Sequence, residues 1–177
     1  MNAIISLHQS IASAISRYFE DIALLLLRFM GAKVFFESGL TKWDGWFDFN
    51  DQKYDLFLYE FFCPDPVREG ALLLCDPKTL DYEEGSSMIS IIESLALMAG
   101  IMEILLPVLV MLGLFTRLGA LGLLGMTLFI QLAVFPTWEH WWNPAAWWAV
   151  VLVAIIAKGP GLISLDRLFQ LEKGPSR

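Results

Sequence analysis

Two long apolar runs joined by five residues do most to limit what this chain can fold into. Met88–Leu112 and Leu118–Phe135 are each long enough to cross a hydrocarbon core of about 30 Å, for which roughly 20 helical residues suffice. The connector, Gly113-Leu114-Phe115-Thr116-Arg117, is too short for anything but an antiparallel helical hairpin. A carboxylate, Glu103, lies in the middle of the first run, and an amide, Gln131, lies late in the second. The hairpin therefore reads as membrane-embedded, with the rest of the chain built around it and the lipid bilayer as its first partner.

Composition supports this reading. The chain is 56% hydrophobic with a mean hydropathy of +0.58, whereas a soluble domain is nearer about 45–50% apolar. Its 177 residues suit one domain, 1–177. Seven Trp and thirteen Phe suggest interfacial belts as well as core. A formal charge of −7 and a pI near 4.7 argue against nucleic acid, because phosphate binding needs clustered Lys and Arg.

Around the hairpin, the pattern predicts a four-helix membrane bundle. Met1–Glu20 carries Ile4, Ile5, Ile11, Ile15 and Phe19 at near-helical spacing and reads as an N-terminal amphipathic helix on the membrane surface. It lacks a basic start and a small-residue cleavage site, so it does not read as a cleaved signal. The first span is expected over residues 21–42, interrupted by Arg28, Lys33 and Glu37. Charges at that depth cost several kcal/mol each and should face protein or water. The later spans are expected over 88–112, 118–135 and 141–158, the last stopped by Gly159-Pro160-Gly161. Pro136–Pro144, with Trp138, His140 and Trp141, reads as a tight interfacial loop. Ile163–Leu171 is expected to be a short surface helix capped by Ser164.

Residues 43–87 read as a small extracytoplasmic cap between the first two spans. They hold eleven acids and three bases, a balance of −8, together with aromatic clusters and an expected short helix near Tyr54–Phe62. Lys and Arg are concentrated in the tail (Lys158, Arg167, Lys173, Arg177), the short connector (Arg117) and the N-terminal stretch (Arg17). This bias predicts a multi-pass protein of the inner (cytoplasmic) membrane with both termini cytoplasmic. Cys63 and Cys75 would then share an oxidising compartment. A disulfide that staples the cap is the plain reading. A redox-cycling pair is the sharper one, although the spacing is not the C-x-x-C that tunes thiol pKa. Two independent thiols are a third reading.

Several polar groups fall in apolar surroundings. Arg28, Phe35, Gly39 and Lys42 share one helical face, and Lys33 and Glu37 form an i, i+4 pair on the opposite side. Ala96, Ala99, Gly100 and Glu103 share a small-residue face suited to close packing. An Arg28–Glu103 pair is the simplest way to neutralise both, either as a clamp on helix register or as a polar pocket that orients a headgroup or relays a proton. Gln131 suits an interhelical hydrogen bond. Glu93 lies near a helix end and can reach headgroups. No metal site is expected, because His140 offers too few ligands and His8 lies on the other side. No phosphate loop, nucleophile elbow or zinc spacing is present.

Four segments resemble the DoxX family. Arg28-Phe-Met-Gly-Ala-Lys-Val-Phe-Phe-Glu-Ser38-Gly39-Leu40-Thr-Lys42 is similar to the family's first helix. Glu103-Ile-Leu-Leu-Pro-Val-Leu-Val-Met-Leu-Gly113-Leu-Phe-Thr-Arg117 is similar to its second helix and turn, and Leu121-Gly-Leu-Leu-Gly-Met-Thr-Leu-Phe-Ile-Gln131 to its third helix. Gly159-Pro-Gly-Leu-Ile-Ser-Leu-Asp166 is similar to its C-terminal signature. The resemblance implies a four-helix membrane bundle in which Arg28, Ser38, Lys42, Glu103 and Gln131 match the family pattern. Lys33, Glu37 and the Cys63–Cys75 region do not. It also implies a link to quinone-coupled oxidoreductases or oxidative-stress membrane complexes, with quinone as the cofactor class and a periplasmic or membrane redox partner. A non-enzymatic scaffold docking a periplasmic partner through the acidic cap is the alternative, and a homo-oligomer is compatible with either. A transporter is the third reading, though four helices are few and no inverted repeat is visible.

Overall fold

The computed structural model describes residues 2–83 and 85–172; Glu84, Lys173 and Arg177, counted in the charge balance above, lie outside them, as does the side chain of Arg17. The first element, α1, runs unbroken from Asn2 to Leu40. The expected surface helix and first span are thus one helix. No Gly or Pro occurs before Gly31, and a run of Ala, Ile and Leu carries the helix through the expected boundary. At about 1.5 Å per residue it is roughly 58 Å long, close to twice the hydrocarbon thickness.

After α1, β1 (Trp43–Gly45) and β2 (Asp48–Phe49) pair antiparallel in a small hairpin tipped by Trp46 and Phe47. Then α2 (Asp51–Asp55) runs into a π-helical turn, Leu56–Phe61, where a short helix is expected. Phe49, Phe57, Leu58 and Phe62 form a cluster with Ile92 and Ala96 of α3 (Ser87–Leu112). This aromatic segment therefore lies alongside the first half of α3. Beyond it, Cys63 and Cys75 are joined in a disulfide with a Cα–Cα distance of 5.6 Å, and Leu74 N–H donates to Phe62 O at 2.9 Å.

The returning chain is pinned by Tyr82, whose hydroxyl donates to Leu58 O at 2.7 Å. Burial, and then the neighbouring Tyr59, push the Tyr82 phenol up from 10.0 to about 12. The folded state therefore holds this proton more tightly than the unfolded chain. The stabilisation is fully present below pH 10 and is lost as the pH rises through about 12. An alkaline absorbance titration should show one late tyrosine, and Tyr82→Phe should remove it; an unchanged titration would refute the assignment.

Three segments are long and apolar enough to cross a membrane: Ser87–Leu112, Thr116–Val134 and Trp138–Lys158. The second comprises α4 (Thr116–Phe129) and a π-helical turn, Ile130–Val134. The third comprises α5 (Trp138–His140), a kinked segment at Trp141–Ala145 with Asn143 out of helical geometry, and α6 (Ala146–Lys158). The Trp-rich stretch expected as a loop thus holds a short helical turn at Trp138–His140, and the chain breaks from helical geometry again at Asn143 (φ −146°, ψ 92°) before α6. The Thr137 side chain accepts from His140 N–H at 3.2 Å and so starts a helix there. α1 has the length to span, but Arg28, Lys33 and Glu37 interrupt its apolar run. The four long helices share one core: Ala32 and Phe35 of α1, Val110 of α3, Ala120 and Leu123 of α4, and Leu152 and Ile155 of α6.

α1 and α3 approach closely where Gly39 faces the backbone of Glu103. A Cβ on Gly39 would sit 2.8 Å from the Glu103 carbonyl oxygen. That carbonyl lacks its usual helical donor, because the residue four positions on is Pro107. Gly39→Ala should therefore force the helices apart and cost about 1–3 kcal/mol, read as a lower unfolding midpoint in detergent. No loss would show that the helices can separate freely.

Candidate functional site

The end of α1 places Lys42 against the middle of α3. Lys42 N–H donates to Gly39 O at 3.0 Å, and Asn50 N–H donates to Lys42 O at 2.9 Å, which fixes the backbone on both sides. Its ammonium donates to Glu103 Oε2 at 2.6 Å and to Ser38 Oγ at 3.3 Å. Both side chains of the ion pair are 8% exposed. Gly100, one turn from Glu103, leaves room for the Phe49 ring and for the Lys42 stem. The Phe49 ring packs against Gly100 and stands edge-on to Trp43, 5.3 Å between centroids.

This corrects the Arg28–Glu103 pair expected above. Arg28 lies within α1 and Lys42 in the turn just after it, so about 18 Å of helix from Arg28 to Leu40 and then the turn separate the two cations. Only the one at the C-terminal end reaches the level of Glu103. One-dimensional spacing identifies the face but does not say where along it the partner helix crosses.

Glu103 also borders a cavity of about 350 Å³ between α3, α4 and the aromatic segment. Phe57, Phe61, Phe62 and Phe129 supply its rings, and Met98, Met102 and Met126 much of the remainder. Gly125 opens it from the α4 side, since nothing lies within 4 Å of where its Cβ would be. Among the described residues, Glu103 is the only charged one on this wall. An apolar slot with one charged group suits a flat, apolar molecule with a polar edge.

The other expected site residues lie elsewhere. Gln131 is buried and ties the Trp-rich segment back onto α4. Its Nε2 donates to Thr137 O at 3.0 Å, and its Oε1 lies 2.6 Å from His140 Nδ1. His140 stacks on Phe135 at 5.0 Å, and the Arg68 guanidinium lies 4.5 Å from the same ring's centre. Trp138 is 78% exposed, and Trp141 is half-buried. Lys33 and Glu37 pair at 3.5 Å with both side chains 63% exposed, away from the core. Cys63 is 3% exposed and Cys75 half-buried. Arg28, 1% exposed, lies at the opposite end of the bundle and donates through Nη2 to Ile163 O.

Asp166 is the residue that sequence reasoning left without a role. It is 1% exposed. Its carboxylate accepts from Phe115 N–H at 2.7 Å, from Thr116 N–H at 2.9 Å and from the Thr116 hydroxyl at 2.7 Å. It therefore caps α4 from fifty residues away. The available signal was a short connector with no acidic residue to meet the start of its second helix.

A family model, DoxX, matches residues 23–136. No curated protein and no solved structure matches the chain.

Proposed function

The chain belongs to the DoxX family, and from that premise we propose that it is a four-span inner-membrane protein, termini cytoplasmic, whose bundle binds a quinone as part of a redox complex. α1 would supply the fourth span, since it shares the core of the other three. The observation that carries the reading is that Glu103, held by Lys42, stands on the wall of an apolar, aromatic-lined cavity about 350 Å³ in volume. The residues fit the group. Glu103 can hold or pass a proton at the cavity wall, Lys42 orients that carboxylate through their ion pair, and the Phe57 and Phe129 rings offer faces to a planar ring. A bound quinone supplies a two-electron, two-proton acceptor. Burial of Cys63 supports the disulfide as a staple, since thiol exchange needs access to sulfur; a partner of the dehydrogenase class would then deliver the electrons.

The test uses the purified full-length chain in detergent, titrated with a water-soluble quinone. A thiol donor is present, and the Cys63–Cys75 state is followed by labelling and mass spectrometry. Saturable binding that is lost in Gly125→Leu, which fills the slot, supports the site. Cycling of the pair would make it the electron carrier instead. Binding indifferent to Gly125→Leu and to Glu103→Gln would refute the reading.

The alternative is a scaffold that docks a periplasmic partner. It is favoured by the exposed carboxylates Asp44, Asp48, Asp51 and Asp55, clustered around the hairpin and α2. Charge reversal there should release such a partner in a salt-dependent pull-down.

A further inference from the structure

Arg28 takes no part in the quinone site. It lies in the floor of a second cleft of about 570 Å³, formed by α1, the end of α3 and the segment leading into α7 (Leu165–Leu168). We propose that this cleft binds the phosphate of an anionic phospholipid, with Arg28 at its floor and Arg167 at its mouth.

The argument begins with unmet hydrogen-bonding capacity. A guanidinium carries five N–H groups in a rigid fork. Nη2 of Arg28 donates to Ile163 O. Among the described residues, no acceptor reaches Nε or Nη1, although both atoms are buried. Those two nitrogens carry three of the five N–H groups. Asp166 is the nearby counter-charge, but its two oxygens are already engaged by Phe115 and Thr116. Gly113 leaves the space that the guanidinium occupies, since a Cβ there would overlap Nη1. The chain thus holds a desolvated cation with unused donors, which is costly unless an anion completes it. A phosphate matches the fork of an arginine.

The walls point to a lipid source. Phe29, Met111 and Leu112 line the cleft, and Phe29 and Leu112 are about half exposed on the outside of the bundle, where acyl chains would run. Leu112 ends one of the segments able to cross a membrane, which puts the cleft at headgroup level. Arg167 is exposed at the rim. Ile163 and Leu168 flank the opening with exposed, rotatable side chains, so a headgroup reaches the guanidinium by turning them aside.

The experiment takes the delipidated full-length chain in detergent. Phosphatidylglycerol, phosphatidylcholine or inorganic phosphate is added, and binding is read by native mass spectrometry and by the shift in unfolding midpoint. Phosphatidylglycerol should be retained and should raise the midpoint, whereas phosphatidylcholine should not. Arg167→Glu should keep the basal midpoint and weaken phosphatidylglycerol binding at least about fivefold. Arg28→Lys should weaken it further. If that variant does not fold, Arg167→Glu decides alone. Equal retention of the two lipids, or no effect of Arg167→Glu, overturns the proposal. Displacement of the lipid by millimolar inorganic phosphate overturns the lipid source and leaves a soluble phosphate site.

Discussion

Replacing Glu103 with Leu should destabilise the protein by about 3–5 kcal/mol, because it strands the Lys42 ammonium in the bundle without its counter-charge. The pair is only 2.6 Å apart and 8% exposed on each side, so water cannot take over the lost role. Lys42→Met should cost a similar amount by leaving the carboxylate unpaired. Making both changes together should recover most of the loss, since a buried pair exchanged for apolar groups of like volume is often nearly neutral. The measurement is a double-mutant cycle on unfolding midpoints in detergent. Additive losses in the double variant would mean that the two groups are not coupled. Restored stability without the proposed quinone binding would separate the fold of the bundle from the chemistry proposed for its slot.

Asp166→Ala should be comparably severe, about 3–5 kcal/mol. Three hydrogen bonds at the start of α4 end on this one carboxylate. Its own N–H donates to Gly113 O at 2.7 Å, so the C-terminal segment and the α3–α4 turn are joined in both directions. Losing the carboxylate also leaves Arg28 without its neighbouring negative charge. Asp166→Asn keeps one good acceptor and should recover part of the loss, the remainder measuring the charge. The expected signature is a lower unfolding midpoint with early proteolysis after Leu162. An Asp166→Ala variant as stable as the parent would show that the turn holds without its distant cap.

Local chemistry made several elements readable from the residues alone. The α3–α4 hairpin follows from two apolar runs with Gly113 between them, and Gly113 does close α3 at φ 71°. Ser164 is a cap because its hydroxyl accepts from the Arg167 N–H at 3.2 Å, although the helix it opens is only Leu165–Leu168 and not the expected Ile163–Leu171. The small-residue faces around Gly39 and Gly100 follow from helical periodicity, and both glycines stand where another group comes too close for a Cβ. Resemblance to DoxX was likewise legible, carried by residues whose order and spacing needed no coordinates.

Long-range matters were not readable in this way. Arg28, Lys33 and Lys42 are all cations of one stretch, the first two on α1 and the third in the turn after it, and nothing in their spacing says which one meets Glu103. The sequence by itself determined the apolar helices, their faces, the hairpin and the family. The tertiary structure alone decided that Lys42 pairs with Glu103, that Arg28 turns to the far end, that Gln131 holds the Trp-rich segment, and that Asp166 caps a helix fifty residues earlier. The physical reason is that periodicity fixes a side chain's direction around its own axis, whereas a buried charge is satisfied by whichever group the packing of another helix brings within about 3 Å.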